Sequence, residues 1–219
     1  MSALQDNAAQ RAAYWPVAIV RAIPAAILGL VITFVSNHSV GFGLICFGLF
    51  AVVSGLILAV MSWRRLAGSG ARSFFVAQGV ITVVAGVLAL VFHSGSISVF
   101  FLIVTAFALI TGFFELYSGL RTRHRFVASN DWLVSGVITV AAGAALLLVP
   151  PGLHQSVRTA EGTTGVLDAS IVAVGILGAY AAILAIYLLI AGFSAKWGTQ
   201  SEPAATPDTE IQTKGGAAA

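Results

Sequence analysis

Two charges sit where an apolar chain least tolerates them. Arg21 lies six residues after Trp15, inside the first long apolar run, and Glu115 lies six residues before Arg121, at the end of the fourth. At 1.5 Å rise per residue, each charge is about 9 Å below the same end of a helical bundle. A lone charge at that depth costs several kcal/mol or must stretch its side chain back to the polar surface. The matched depth leaves two outcomes: an Arg21–Glu115 ion pair within the membrane, or two side chains that snorkel separately. Glu115 as a proton-relay carboxylate is a third reading. It would need more ionisable residues deeper in the bundle, and the middle of the runs has none.

The histidines are the next candidates. His38, His93 and His154 fall one in each of three polar connections at one end, and His124 falls at the other end. Imidazole gains charge as its surroundings acidify, so three converging rings would repel and loosen that face, a pH-sensing device. Convergence could also hold zinc. Without it the three are ordinary turn residues. Cys46 stands alone inside the second run, with no histidine at its depth to activate the thiol. Neither GxSxG nor HExxH occurs, and neither a P-loop nor GxGxxG. No catalytic, metal or cofactor-binding residue is assigned, and the chain is read as a non-enzyme without a cofactor.

The elements that must position these groups are set by composition. Of 219 residues, 58% are hydrophobic and 9% charged, with a mean hydropathy of +0.98. Soluble domains carry about 25% charged residues. The bilayer is therefore the expected solvent. A spanning helix needs about 20 mainly apolar residues, and such runs fall at 15–35, 40–63, 74–92, 97–119, 132–150 and 171–193. The first is too long for a signal-peptide core and no small-residue cleavage site follows it, so it reads as a retained helix. The spacing predicts an all-α protein of six transmembrane helices, one domain over 14–197. A polar segment precedes it at 1–13. A tail over 198–219, rich in Pro, Thr, Ala and Gly, is expected to be disordered. A longer polar loop, 151–170, precedes the last span.

Lys and Arg set the expected orientation. Ten of them, including Arg64, Arg65, Arg72, Arg121, Arg123 and Arg125, fall at one end, with only Arg158 opposite. The positive-inside rule puts both termini in the cytoplasm, in a bacterial cytoplasmic (inner) membrane. The basic loops are expected to meet anionic lipid headgroups. They have no folded module for nucleic acid. Trp15, Trp63, Trp132 and Trp197 share that end, where indole rings prefer the headgroup level. Gln78 is expected to donate an interhelical hydrogen bond, Pro24 to bend the first helix, and the Phe-rich run 100–114 to face lipid.

An octet repeats: GVITVVAG at 79–86 and GVITVAAG at 136–143. Gly29, Gly86 and Gly143 are 57 residues apart, as are Gly79 and Gly136, and Gly55 and Gly112. The chain is thus read as three helical hairpins, at about 15–65, 72–123 and 130–197, the third stretched by its outer loop. In lipid, helices associate through small residues that let backbones approach. These seven glycines are therefore assigned to helix packing, at the seam where the hairpins meet.

Three hairpins, basic inner loops and a glycine in the middle of each odd span resemble the HdeD-like family of small bacterial membrane proteins. The segments that carry the resemblance are GLVITFV (29–35), GVITVVAGVLALVF (79–92) and GVITVAAGAALLLVP (136–150). Pro150 resembles the family's proline at the outer end of an odd span. The ends at Val35-Ser36 and Phe92-His93, and the long third loop, depart from it. The resemblance implies six helices and a link to acid resistance, without catalytic residues to carry over. The expected function is therefore a non-enzymatic stress or acid-resistance membrane protein, acting through bilayer, lipid or partner contacts, alone or as a homo-oligomer. The alternatives are a small transporter or channel, or an accessory subunit of a larger membrane complex.

Overall fold

A computed structural model describes residues 3–65, 72–123, 126–158 and 164–200; His124, Arg125, Lys214 and the tail from 201 to 219 lie outside the described residues. Six helices follow one another: α1 (Ala3–Phe34), α2 (Val40–Arg65), α3 (Arg72–Val91), α4 (Ile97–Arg121), α5 (Ser129–Leu147) and α6 (Ala169–Gln200). All six are long and apolar enough to cross a membrane. Within hydrocarbon a chain must satisfy its own backbone, and a helix does so within one segment. The polar connections end the helices by local bonding. The Phe42 N–H donates to the Ser39 hydroxyl at 3.3 Å and so caps α2.

The helices stand in a ring in chain order, closed by α1 against α6. The ring alternates tight and loose contacts. The extensive seams are α6/α1, α2/α3 and α4/α5, while α1/α2, α3/α4 and α5/α6 touch less. The even helices also meet one another across the middle. So the tight seams run between the repeated hairpins, and the helices inside each hairpin are the looser pairs.

Glycine explains the alternation. A Cβ on Gly86 of α3 would lie 2.7 Å from the Val52 backbone nitrogen and 2.8 Å from the Gly48 oxygen of α2. One on Gly79 would lie 2.7 Å from the Ala59 nitrogen and 2.8 Å from the Gly55 oxygen. Gly112 and Gly136 meet across α4/α5 in the same manner. Gly29 faces the Ala182 backbone of α6 at 3.0 Å, whereas Gly143 meets only side-chain atoms of Ala108 and Leu109, from 3.1 Å.

Position in the ring decides what is core. Phe100 and Phe107 of α4 are buried, contrary to the expectation that the 100–114 run faces lipid. An even helix has a central face to fill, and Phe47 meets Phe107 edge-on there, ring centroids 5.1 Å apart. Trp132 likewise departs from the expected headgroup belt. It is buried against Tyr14, Phe75 and Phe126, in a second small core at the basic end. Trp63 and Trp197 remain exposed.

Helix α1 begins at Ala3, within the polar N-terminal segment, and runs through Pro16 and Pro24. The first part of α1 is tied down where the Val127 N–H donates to the Gln10 side chain. Helix α6 reaches Gln200, and Arg11 donates to the Gly198 carbonyl. The long third connection contains an unexpected antiparallel pair, β1 (His154–Arg158) and β2 (Thr164–Asp168), with His154 opposite Asp168.

The close backbone approach predicts an asymmetry between equivalent glycines. Gly86→Ala must push α2 and α3 apart, a loss of about 1–3 kcal/mol by the measure of overpacked cores. Gly143→Ala comes no closer than 3.1 Å to Ala108 Cβ and the Leu109 side chain and should lose less. Thermal unfolding in detergent micelles checks this; equal losses would contradict the seam geometry.

Candidate functional site

The seams fix which positions of the three repeats are equivalent. Gly29, Gly86 and Gly143 pack on Ala182, Val52 and Leu109 respectively. Val52 and Leu109 are 57 residues apart; from Leu109 to Ala182 the inserted β-hairpin lengthens the step to 73. The same register pairs Gly119 with Leu133 and Gly192 with Ile19. On the odd helices it aligns Arg21, Gln78 and Ser135, then Ala25, Thr82 and Thr139. On the even helices it aligns Phe50, Phe107 and Tyr180, then Ser54, Thr111 and Leu184, then Leu58, Glu115 and Leu188.

Nearly all of these positions line one small cavity of about 30 Å³, to which all six helices contribute. Its polarity comes from divergence between the repeats. Where two copies have leucine, the middle one has Glu115. Where the last has serine, the others have Arg21 and Gln78.

Arg21 Nη2 donates to Glu115 Oε1 at 2.6 Å, and Gln78 Nε2 donates to the same oxygen at 3.0 Å. The side chain of Glu115 is 2% exposed and that of Arg21 13%. Helices α1 and α4 stand opposite each other in the ring, so the arginine reaches across the centre to its partner. Thr82 and Thr111 bond back to their own helices through the carbonyls of Gln78 and Phe107. Thr139 Oγ1 and the Tyr180 hydroxyl lie 3.4 Å apart. Glu115 Oε2, Gln78 Oε1 and Ser54 Oγ are buried with no partner among the described residues.

The structure thus brings Arg21 and Glu115 together and adds Gln78 as a second donor. A buried pair of this kind repays its desolvation only through close geometry, and removing one partner strands the other charge. Sequence reasoning missed the hydroxyl groups of Ser54, Thr111, Thr139 and Tyr180. The available signal was the 57-residue register, which places Arg21 and Gln78 at one repeat position.

The three histidines at the β-hairpin end stay within their own loops. The His38 and His93 rings contact the carbonyls of Ser36 and Leu90, at 3.1 and 2.9 Å. His154 Nδ1 lies 2.6 Å from Asp168 Oδ1, across the base of the β-hairpin. Among the described residues no three His, Cys, Asp or Glu side chains group as metal ligands. Cys46 lies on an apolar groove of about 220 Å³ between α1 and α2, which Pro24 also lines. At the basic end Tyr187 donates to Asp131 at 3.1 Å, joining α6 to α5.

A family model described as a short repeat of unknown function, DUF308, matches the chain twice, at residues 20–91 and 77–148. The two matches begin one residue before Arg21 and one before Gln78, in the register of the seams. No curated protein and no solved structure matches the chain.

Breaking the ion pair from one side should cost more than removing it whole. Glu115→Leu leaves the Arg21 guanidinium stranded, a loss of about 3–5 kcal/mol. Adding Arg21→Met should recover most of it, since leucine already occupies positions 58 and 188 of the other repeats. Chemical denaturation in micelles of both variants checks this; a double variant no better than the single one would contradict it.

Proposed function

The chain belongs to the DUF308 family of short repeats, and on that premise we propose that this integral membrane protein acts in stress or acid resistance, without catalysis, through contacts with the bilayer, lipids or partner proteins. The observation that carries this reading is the placing of the polar groups. Arg21, Gln78 and Glu115 are bonded to one another in a small cavity. The half of the bundle beyond it is filled by side chains such as Leu44, Phe47, Phe100 and Leu177. Such an interior suits a protein whose exposed ends and lipid-facing sides do the work. The HdeD-like resemblance adds the acid-resistance role.

The basic end faces the cytoplasm in this reading, in a bacterial inner membrane, by the positive-inside rule. Its cations lie over aromatic rings at the headgroup level. Arg72 sits 3.9 Å from the Trp63 ring centre, Arg121 5.3 Å from Phe74 and Lys196 5.2 Å from Trp15. Those faces suit anionic headgroups. The β-hairpin and the three histidine-bearing loops then meet the outside medium.

A strain lacking the protein should survive low external pH less well, and the wild-type gene should restore survival. No effect of the deletion would overturn the acid-resistance role. A variant with His38, His93 and His154 all changed to Ala should restore survival as the wild type does, because each ring bonds inside its own loop. Failure of that variant would give the three a sensing role.

The buried ion pair is also what a small transporter or channel would display. Flux of protons or small ions into proteoliposomes separates the two readings, and none above protein-free vesicles is expected.

A further inference from the structure

The centre of the ring has a polar imbalance that the protein does not resolve by itself. Glu115 is 2% exposed and Gln78 3% exposed. Each uses one polar atom in their mutual hydrogen bond, which leaves Glu115 Oε2 and Gln78 Oε1 without partners among the described residues. Both residues line the 30 Å³ cavity, and so does Ser54, whose buried hydroxyl is likewise unpartnered. An unpaired carboxylate oxygen in such surroundings costs several kcal/mol.

We infer that this cavity is a binding site for one water molecule, which joins Glu115, Gln78 and Ser54 on the pseudo-threefold axis of the repeats. The volume fits, since a water needs roughly 10–15 Å³ on this measure. The bonding also balances. Water donates one hydrogen to Glu115 Oε2 and one to Gln78 Oε1, and accepts one from the Ser54 hydroxyl. That makes three bonds, the usual number for an internal water.

Charge selects water over an ion. The Arg21 guanidinium already neutralises the carboxylate at 2.6 Å. A sodium ion would leave the site with a net positive charge among Phe50, Phe107, Leu184 and Leu188, and an anion would meet Glu115. A neutral ligand that both donates and accepts adds no charge.

The symmetry supplies the test residue. Position 54 is serine in the first repeat, Thr111 in the second and Leu184 in the third, so the fold accepts larger side chains at this register. Ser54→Val fills the cavity and removes the donor; Ser54→Thr keeps the hydroxyl. Water-edited solid-state NMR of the protein in lipid reads magnetisation passed from water to the Glu115 carboxyl carbon and the Gln78 carboxamide. Glu115→Gln identifies the first signal. The expected result is transfer in the wild type and in Ser54→Thr, and its loss in Ser54→Val together with a lower unfolding midpoint. Absence of transfer in the wild type would overturn the proposal. So would a raised midpoint in Ser54→Val, because filling a dry cavity stabilises.

Discussion

A carboxylate buried among apolar helices has to find its counter-charge inside the protein. Glu115 finds it on the helix opposite, α1, whose arginine reaches across the ring. That contact works only if the ring is closed, since α1 is held in place by its seam with α6 and not by a covalent connection there. The seam depends in turn on backbone approach at Gly29 against Ala182, and on the Ile32 and Ile19 side chains seated against Gly178 and Gly192. In lipid, where burial of apolar surface supplies no net attraction between helices, such close contacts are the main attraction. The polar centre and the glycine seams are thus parts of one arrangement.

The repeat accounts for both. One seam geometry is used three times, and its last use joins the ends of the chain into a ring. Equivalent positions then converge on a single axis. Three identical repeats would place three identical side chains there, and three buried charges of one sign could not coexist in so small a cavity. Divergence avoids this, with a cation, an amide and a hydroxyl at one level and one carboxylate between two leucines at another. The family matches at 20–91 and 77–148 follow the same 57-residue step.

Much of this was legible in the sequence. Long apolar runs and short polar breaks located six helices, because a bilayer admits few other spanning structures. The glycines at 29, 86 and 143 announced the repeat, and the equal depth of Arg21 and Glu115 suggested a pair. The rest was hidden for a physical reason. In water a helix shows its buried side as an apolar stripe, but in lipid both sides are apolar and the stripe disappears. Phe100 and Phe113 therefore look alike in sequence, though one is core and the other exposed. The same uniformity concealed that Trp132 points inward. The β-hairpin was obscured by its surroundings, a polar segment with valine and threonine at only a few positions.

One ion pair spans the ring between opposite helices. The most direct measurement is dipolar recoupling in lipid between arginine guanidinium nitrogens and glutamate carboxyl carbons, with Glu115→Gln to identify the signal. A direct-contact coupling is expected in the wild type, and it should disappear in that variant. If the wild type shows no short arginine–glutamate contact, Arg21 and Glu115 reach the membrane surface separately, and the closed ring with a polar centre is wrong.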